Sequence, residues 1–276
     1  MINLKYLIPR VIRHFLPSNV ARFLLLKRWI IKPGIETDSP EWAAARYQKV
    51  LSEKGITLAG KSFLILGYGG RFAVGCNLLK MGAKKVILCE KGVQPDDVYN
   101  RELLEGFSSF LKLKNNQVRP DSSRMEVIEG DIRMLETDPV DIILSTSVYE
   151  HLDDVEGITR ALAALTKTDG INLHYIDLRD HFFKYPFEML CYSEKVWSRW
   201  LNPTTHHNRY RFTSYRAAFE EYFGRVEVIE LERNEEEFEK ARERIQPEFL
   251  SGDYLTNTIT KATLMAFGPK RIDRGL

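Results

Sequence analysis

The stretch Phe63-Leu64-Ile65-Leu66-Gly67-Tyr68-Gly69-Gly70 decides the fold of this chain. Its apolar half is short and continuous, which is typical of a strand buried on both faces of a parallel sheet. Glycines follow at once, where a tight turn lets the backbone approach a ligand closely. A helix is predicted from Val74 to Met81, and its free N–H groups would face the same point. The sequence therefore predicts a strand, a glycine turn and a helix beside a bound ligand.

A second apolar run, Val86-Ile87-Leu88-Cys89-Glu90, ends in an acid 23 residues after Gly67. Neighbouring parallel strands end at the same edge of a sheet, so Glu90 is expected beside the glycine turn. An acid at that distance can hold both hydroxyls of a ribose. The two runs together predict a nucleotide-like cofactor lying across the ends of two strands.

Further apolar runs alternate with helical segments, which is typical of an α/β fold. The predicted strands are Met125–Asp131, Val140–Ser145, Ile171–Leu178, Val226–Leu231 and Thr258–Phe267. We expect a doubly wound, mostly parallel, seven-stranded Rossmann-like sheet. Over Lys61 to Leu178 the chain resembles the class I S-adenosylmethionine (SAM)-dependent methyltransferases.

That resemblance implies SAM as the cofactor and a role for individual residues. Gly67 and Gly69 would lie under the methionine part, and Glu90 would bind the ribose. Asp131 would bind the adenine amino group, with Ile132 packed on the ring. The implied cofactor-binding residues are Gly67, Tyr68, Gly69, Glu90, Asp131, Ile132 and Ser145, the last on the methionine side.

Two positions depart from the family pattern. The family has an acid where this chain has Ile65, and the change removes a usual anchor for the methionine ammonium group. It often has a third glycine where this chain has Arg71, a cation that could meet the SAM carboxylate, meet an anionic substrate or lie on the surface. A nicotinamide-binding fingerprint fits less well, because its third glycine would fall on Phe72.

Composition sets the remaining bounds. The 276 residues suit one sizeable domain with additions, and a net charge of +2 gives no reason to expect a nucleic acid partner. The place after the fourth strand also lacks the Asn/Asp-Pro-Pro-aromatic run of base methylases. Three cysteines without paired spacing indicate buried thiols in a reducing cytoplasm.

The N-terminus is predicted to be a helical extension, residues 1–57, ahead of the methyltransferase domain, 58–276. Residues 1–35 contain seven basic residues and no acid, and apolar residues recur there at helical spacing. Pro9 is expected to kink or delimit a first helix, and a second is expected over 19–31. Two interpretations stay open: a lid over the cofactor, or a basic amphipathic helix on an anionic membrane surface at the inner face of the membrane.

A cap is predicted after the fifth strand, over about 179–215, because ten of the 35 residues from His181 to Tyr215 are aromatic. Ligands bind at this edge of open α/β sheets, and aromatic, amide and cationic groups suit a sugar or a small anion. The candidate substrate residues are Asp180, His206, His207, Asn208 and Arg209. No metal site is predicted, because no carboxylate has ligand spacing to the adjacent His206 and His207.

Methyl transfer to a hydroxyl needs alignment and removal of a proton. The candidate bases are His151 and His181, with Asp177 orienting one of them, although Glu150-His151-Leu152 also resembles a family sequence that only shapes the pocket. We expect methyl transfer to an oxygen of a small or lipid-linked, sugar-containing acceptor, with a loose similarity to bacterial glycan-pathway methyltransferases. The alternatives are N-methylation of a small amine and a non-catalytic membrane-associated protein. The sequence leaves the oligomeric state open.

Overall fold

A seven-stranded sheet organises the chain, of which a computed structural model describes residues 3–17, 20, 24, 39–203 and 206–270. The described strands are β1 (Ser62–Leu66), β2 (Lys85–Glu90), β3 (Leu111–Lys114), β4 (Gln117–Pro120), β5 (Met125–Glu129), β6 (Val140–Thr146), β7 (Thr166–Asp177), β8 (Phe223–Arg233) and β9 (Ile259–Pro269). The sheet order is β5-β2-β1-β6-β7-β9-β8. β9 runs antiparallel to both of its neighbours, and the other pairs are parallel. This confirms the predicted doubly wound, mostly parallel sheet.

Helices cover both faces of the sheet. The described α-helices are α1 (Leu4–His14), α2 (Pro40–Glu53), α3 (Ala73–Lys80), α4 (Asp97–Glu102), α5 (Val155–Ala164), α6 (Glu194–Val196), α7 (Phe212–Tyr222), α8 (Glu235–Ala241) and α9 (Tyr254–Asn257). Side chains alternate along β1, so Phe63 and Ile65 enter one core layer while Leu64 and Leu66 enter the other. This two-sided burial is why the strand reads as an unbroken apolar run.

Two local features differ from the sequence expectation. The strand predicted at Val226–Leu231 is longer in the structure, because β8 extends to Arg233, and the acidic residues that follow it form the helix Glu235–Ala241. A hairpin, β3 and β4, was not predicted. It turns at Asn115 and Asn116, whose φ values are 50° and 60°. Consecutive asparagines suit the two left-handed positions of such a turn, so the signal was present in the sequence.

The N-terminal segment is helical in its described part. α1 continues through Pro9 and ends at His14, so the proline does not delimit it. The second predicted helix, 19–31, lies outside the described residues apart from positions 20 and 24. α2 begins at Pro40 and ends before Gly55, where φ is +73°. Within the described residues, no helix combines the length and apolar character that a bilayer crossing requires.

Candidate functional site

The glycine turn after β1 is packed tightly against two other loops. Gly67, Gly69 and Gly70 have φ values of +79°, +63° and +79°. A Cβ added to Gly67 would lie 2.2 Å from Val148 Cγ2, in the loop that follows β6. A Cβ added to Gly70 would lie 2.6 Å from the carbonyl oxygen of Gln94. The turn therefore brings the ends of β1, β2 and β6 together, and only glycine fits there.

Glu90 lies at the end of β2, beside that turn, as predicted. The backbone N–H of Gly69 donates to Glu90 Oε2 at 3.0 Å, and that of Lys91 donates to Oε1 at 3.1 Å. Burial raises the pKa of Glu90, and these two hydrogen bonds oppose the rise. Two backbone donors thus orient an acid whose remaining lone pairs could accept hydroxyls from a ribose.

Of the other implied cofactor residues at this edge, Tyr68 and Ile132 are buried among apolar groups, whereas Asp131 is paired with cations. Tyr68 is buried, stacks on Phe72, and has its pKa raised to about 12 by burial. Ile132 is also buried. Asp131 accepts hydrogen bonds from the N–H and Nε of Arg133 and pairs with Lys91 at 3.0 Å. These cations hold its pKa well below the usual range, so an adenine amino group would have to share the carboxylate with them.

Three other residues discussed in the sequence analysis have side chains that contact the protein interior or a neighbouring ring. Ser145 is fully buried, and its hydroxyl lies 2.7 Å from His174 Nδ1, so its side chain belongs to the core and does not line the methionine side as expected. Ile65 is also fully buried within β1. The guanidinium of Arg71 lies 3.3 Å from the ring centroid of Tyr99.

A second group of polar side chains lies after β6 and β7. We name Glu150, His151 and His181 the histidine cluster. The His151 and His181 ring centroids are 4.9 Å apart, and His181 Nε2 is 3.9 Å from Glu150 Oε1. His207 also packs against this cluster, with its ring 4.6 Å from that of His181. The structure thus brings together both histidines that the sequence proposed as bases.

Burial dominates the electrostatics of the histidine cluster. Burial lowers the pKa of His151, and burial with the neighbouring His207 and His151 lowers that of His181 well below its usual value. Burial and the charge of Asp177 raise the pKa of Glu150 well above its ordinary value. Both rings are therefore neutral near pH 7, which leaves a lone pair on each.

Glu150 is the residue that the sequence argument missed. It is 1% exposed, and neither carboxylate oxygen receives a hydrogen bond of good geometry from the described residues. The signal was its position next to His151 in the loop after β6. Its burial could not be read from the sequence, because it depends on how the segment after β7 and the cap pack against the loop after β6.

Two aspartates, one at the end of β7 and one just after it, are engaged by protein groups. Asp177 Oδ1 accepts hydrogen bonds from the N–H and Nε of Arg179, at 3.0 and 2.8 Å. Asp180 is fully buried; it accepts the Tyr6 hydroxyl at 2.5 Å and lies 3.3 Å from Arg10 Nη2. Asp180 therefore fastens α1 to this loop, and its predicted contact with a substrate stays a prediction.

The polar run in the cap is largely structural as well. His207 is 1% exposed and places its two ring nitrogens against the carbonyl oxygens of Asn208 and Arg179. Asn208 donates to two carbonyls of the loop after β6, at 2.7 and 2.8 Å. Arg209 is buried and donates to Met189 and Glu194. His207 and Asn208 join the cap to the segments after β7 and β6, whereas Arg209 binds groups within the cap. Any contact of these three residues with a substrate would involve only their exposed edges.

Those edges line a cavity of about 500 Å³ in the cap. Its walls include Trp197, His206, His207, Arg209 and Tyr210. A volume of this size is in the range of small-molecule sites. We call it the cap cavity. It lies beside the histidine cluster, since His151 Nδ1 is 2.7 Å from the carbonyl oxygen of His206.

Comparisons with known proteins support the fold. No protein-family model matches the sequence, and no curated protein does. The structure is similar to a protein described as a sarcosine dimethylglycine methyltransferase from Galdieria sulphuraria, with 13% identity, a TM-score of 0.53, and coverage of 88% of this chain and 93% of that one. It is also similar to phosphoethanolamine N-methyltransferase 2 of Haemonchus contortus in complex with SAM, with 13% identity, a TM-score of 0.50, and coverage of 82% and 53%. With its strand order and the reversed β9, the chain has the fold of the class I SAM-dependent methyltransferases.

Proposed function

We propose that this chain binds SAM at the glycine edge, which we define as the ends of β1, β2 and β5 with Gly67, Gly69, Glu90 and Asp131. The observation that carries the proposal is Glu90, oriented by the N–H of Gly69 at the end of β2. Carboxylates suit the ribose and the cationic methionine part of SAM better than a diphosphate, which prefers N–H donors. The Haemonchus neighbour contains SAM on the same fold.

The proposed reaction is methyl transfer from SAM to an oxygen of a small or lipid-linked, sugar-containing acceptor. Two neutral histidines and a carboxylate beside the methyl donor suit an acceptor whose hydroxyl proton must leave. The cap cavity offers the exposed ring of Tyr210 with polar groups around it, which suits the face and hydroxyls of a sugar ring.

N-methylation of a small amine is the second candidate reaction. It is favoured by the names of the two neighbours, which describe methyl transfer to amines. A neutral amine needs no base of its own, so this reaction would not use the histidine cluster. The third possibility, a non-catalytic protein with this fold, is favoured by Ile65, which removes an ammonium anchor.

The first test is a calorimetric titration with S-adenosylhomocysteine. We expect micromolar binding by the wild type and at least a hundredfold weaker binding by Glu90→Ala, since two hydrogen bonds to a charged group are worth about 3 kcal/mol or more. Glu126→Gln, at the surface near Lys85, is the matched control and should bind normally. Absence of binding by the wild type would favour the non-catalytic protein.

We also propose that α1 places the protein on an anionic membrane. The exposed side chains Leu4, Ile8, Ile12 and Phe15 form one apolar stripe along α1, each about 60% exposed. The exposed ring of Trp200 packs against Phe15 and extends this stripe. Residues 1–35 carry seven basic residues and no acid, which complements anionic headgroups.

Sedimentation with liposomes tests the membrane contact. Full-length protein should bind phosphatidylglycerol vesicles and lose most of that binding in an Ile8→Glu/Ile12→Glu variant. The control is Val98→Glu, which changes an exposed apolar residue on α4. Equal binding by the paired variant, or no binding by the wild type, would overturn the proposal.

A further inference from the structure

The buried carboxylate of Glu150 is the feature that suggests a further ligand. It follows β6 in a loop that Asn208 of the cap contacts, and it is 1% exposed. The backbone N–H of Asp177 and the hydroxyl of Ser147 face its carboxylate, but within the described part of the chain neither oxygen receives a hydrogen bond of good geometry. Burying a carboxylate is costly, and buried acids in proteins are normally paired, bound to a metal or held in the protonated form. His181 Nε2 is 3.9 Å from its Oε1, and His151 is its neighbour in the chain; each ring offers a lone pair when neutral.

One ligand atom from each member of the histidine cluster can be chosen so that all three lie within 4.8 Å of one another. Two imidazoles and one carboxylate are a common ligand set for divalent transition metals, and they leave coordination positions open. The cluster therefore has the composition of a catalytic metal site, and a small movement of its side chains would bring all three onto one ion.

A further contact fixes one imidazole for this role. His151 Nδ1 lies 2.7 Å from the carbonyl oxygen of His206, and a carbonyl can only accept. Nδ1 must therefore carry the proton, which leaves the lone pair on Nε2. Metal-binding histidines in proteins show this arrangement, with the second nitrogen donating to a carbonyl or a carboxylate.

The surrounding charges are balanced. α1 brings Arg10 and Arg13 near His181, where their positive charges oppose a cation. Asp180 pairs with Arg10, and Asp177 places a negative charge near Glu150. The site is also close to the glycine turn, because Val148, two residues before Glu150, lies against Gly67. An ion here would lie beside the methyl donor.

We propose that Glu150, His151 and His181 bind one divalent cation of the Mn²⁺ and Zn²⁺ class, whose open positions take the acceptor oxygen. The role of the ion rests on the proposed function, whereas its binding does not. In the reaction the C–S bond of the sulfonium breaks as the new C–O bond forms. The sulfonium becomes a neutral thioether, and the hydroxyl proton passes to water. A bound cation favours this loss of the proton because it stabilises the resulting negative oxygen.

The test is a titration of the chelator-treated full chain with Mn²⁺, followed by loss of the free-ion electron paramagnetic resonance signal, with Zn²⁺ as competitor. We expect one ion per chain and at least tenfold weaker binding in Glu150→Gln and in His181→Ala. His14→Ala, a histidine of α1 outside the cluster, is the control. S-adenosylhomocysteine binding by each variant shows whether its cofactor site is folded.

The outcomes separate the two proposals. Wild-type protein that binds S-adenosylhomocysteine but neither Mn²⁺ nor Zn²⁺ would overturn the metal site and leave the cofactor site standing. Metal binding that survives in both Glu150→Gln and His181→Ala would also overturn it. Metal binding without S-adenosylhomocysteine binding would support the ion site and contradict the proposed cofactor.

Discussion

The glycine edge and the histidine cluster differ in how their acids are satisfied. At the glycine edge, Glu90 accepts two backbone N–H groups and Asp131 is paired with Arg133 and Lys91. In the histidine cluster, Glu150 receives no hydrogen bond of good geometry from the described residues. The first region is held in shape by the protein alone. The second holds a buried acid beside two histidines without a hydrogen bond of good geometry from the described residues, which is a feature of sites that act on something else.

The largest expected effect tests whether packing imposes the shape of the glycine edge. Gly67→Ala adds a methyl group 2.2 Å from Val148 at a φ of +79°. We expect the free energy of unfolding to fall by about 2–5 kcal/mol, from left-handed strain and overpacking together. Urea unfolding measures it.

The chain supplies a matched control. Gly60 has a φ of +74° and nothing within 4 Å of an added Cβ, so Gly60→Ala should cost only the strain, about 1–2 kcal/mol. Val148→Ala in the Gly67→Ala background should recover part of the loss. Equal costs at the two glycines would show that the contact with Val148 contributes nothing.

A second prediction concerns the buried histidine beneath the cluster. His174 is fully buried on β7, beside Ser145 and the ring of Tyr149, and burial lowers its pKa to about 3. The unfolded chain takes up this proton below pH 6.5 and the folded chain does not. Stability should therefore fall on acidification, by up to about 1.4 kcal/mol per pH unit down to about pH 3.

Urea unfolding at pH 7.5 and pH 4.5 measures this effect. The wild type should lose about 2–3 kcal/mol through His174 alone, and His174→Gln should lack that share. Ser145→Ala, which removes the neighbour and keeps the titrating ring, should retain it. An unchanged acid slope in His174→Gln would mean that the ring is protonated in the folded state at pH 4.5.

The two regions also differ in how far the sequence predicts them. The glycine edge follows from strand runs such as 63–66 and the acids that end them, because parallel strands must end at one edge. The histidine cluster depends on loops after β6 and β7 and on a cap without sequence periodicity. Asp180 and Arg209 illustrate the limit, since both were predicted to contact substrate and the sequence did not reveal the protein groups that both bind. A polar residue in a loop shows its chemistry in the sequence, while its partner depends on tertiary packing.

The smallest expected effect tests how α1 closes the histidine cluster. Tyr6→Phe removes the hydroxyl that donates to Asp180 at 2.5 Å and keeps the ring between Phe182 and Tyr192. We expect a loss of about 1–2 kcal/mol, because the buried charged acceptor loses one donor. Tyr210→Phe, at an exposed ring of the cap, is the control and should cost less than about 0.5 kcal/mol.

Whether Tyr6→Phe destabilises α1 alone or the whole domain distinguishes a lid from a structural helix. If α1 is a lid, Tyr6→Phe should speed tryptic cleavage at the half-buried Arg13 while urea unfolding of the sheet changes little. If α1 is part of the cooperative core, cleavage and global unfolding should change together. The first result would mean that the histidine cluster becomes accessible when α1 detaches, and that the hydrogen bond from Tyr6 to Asp180 keeps α1 in place. The second result would mean that a substrate reaches the histidine cluster through the cap cavity, without movement of α1.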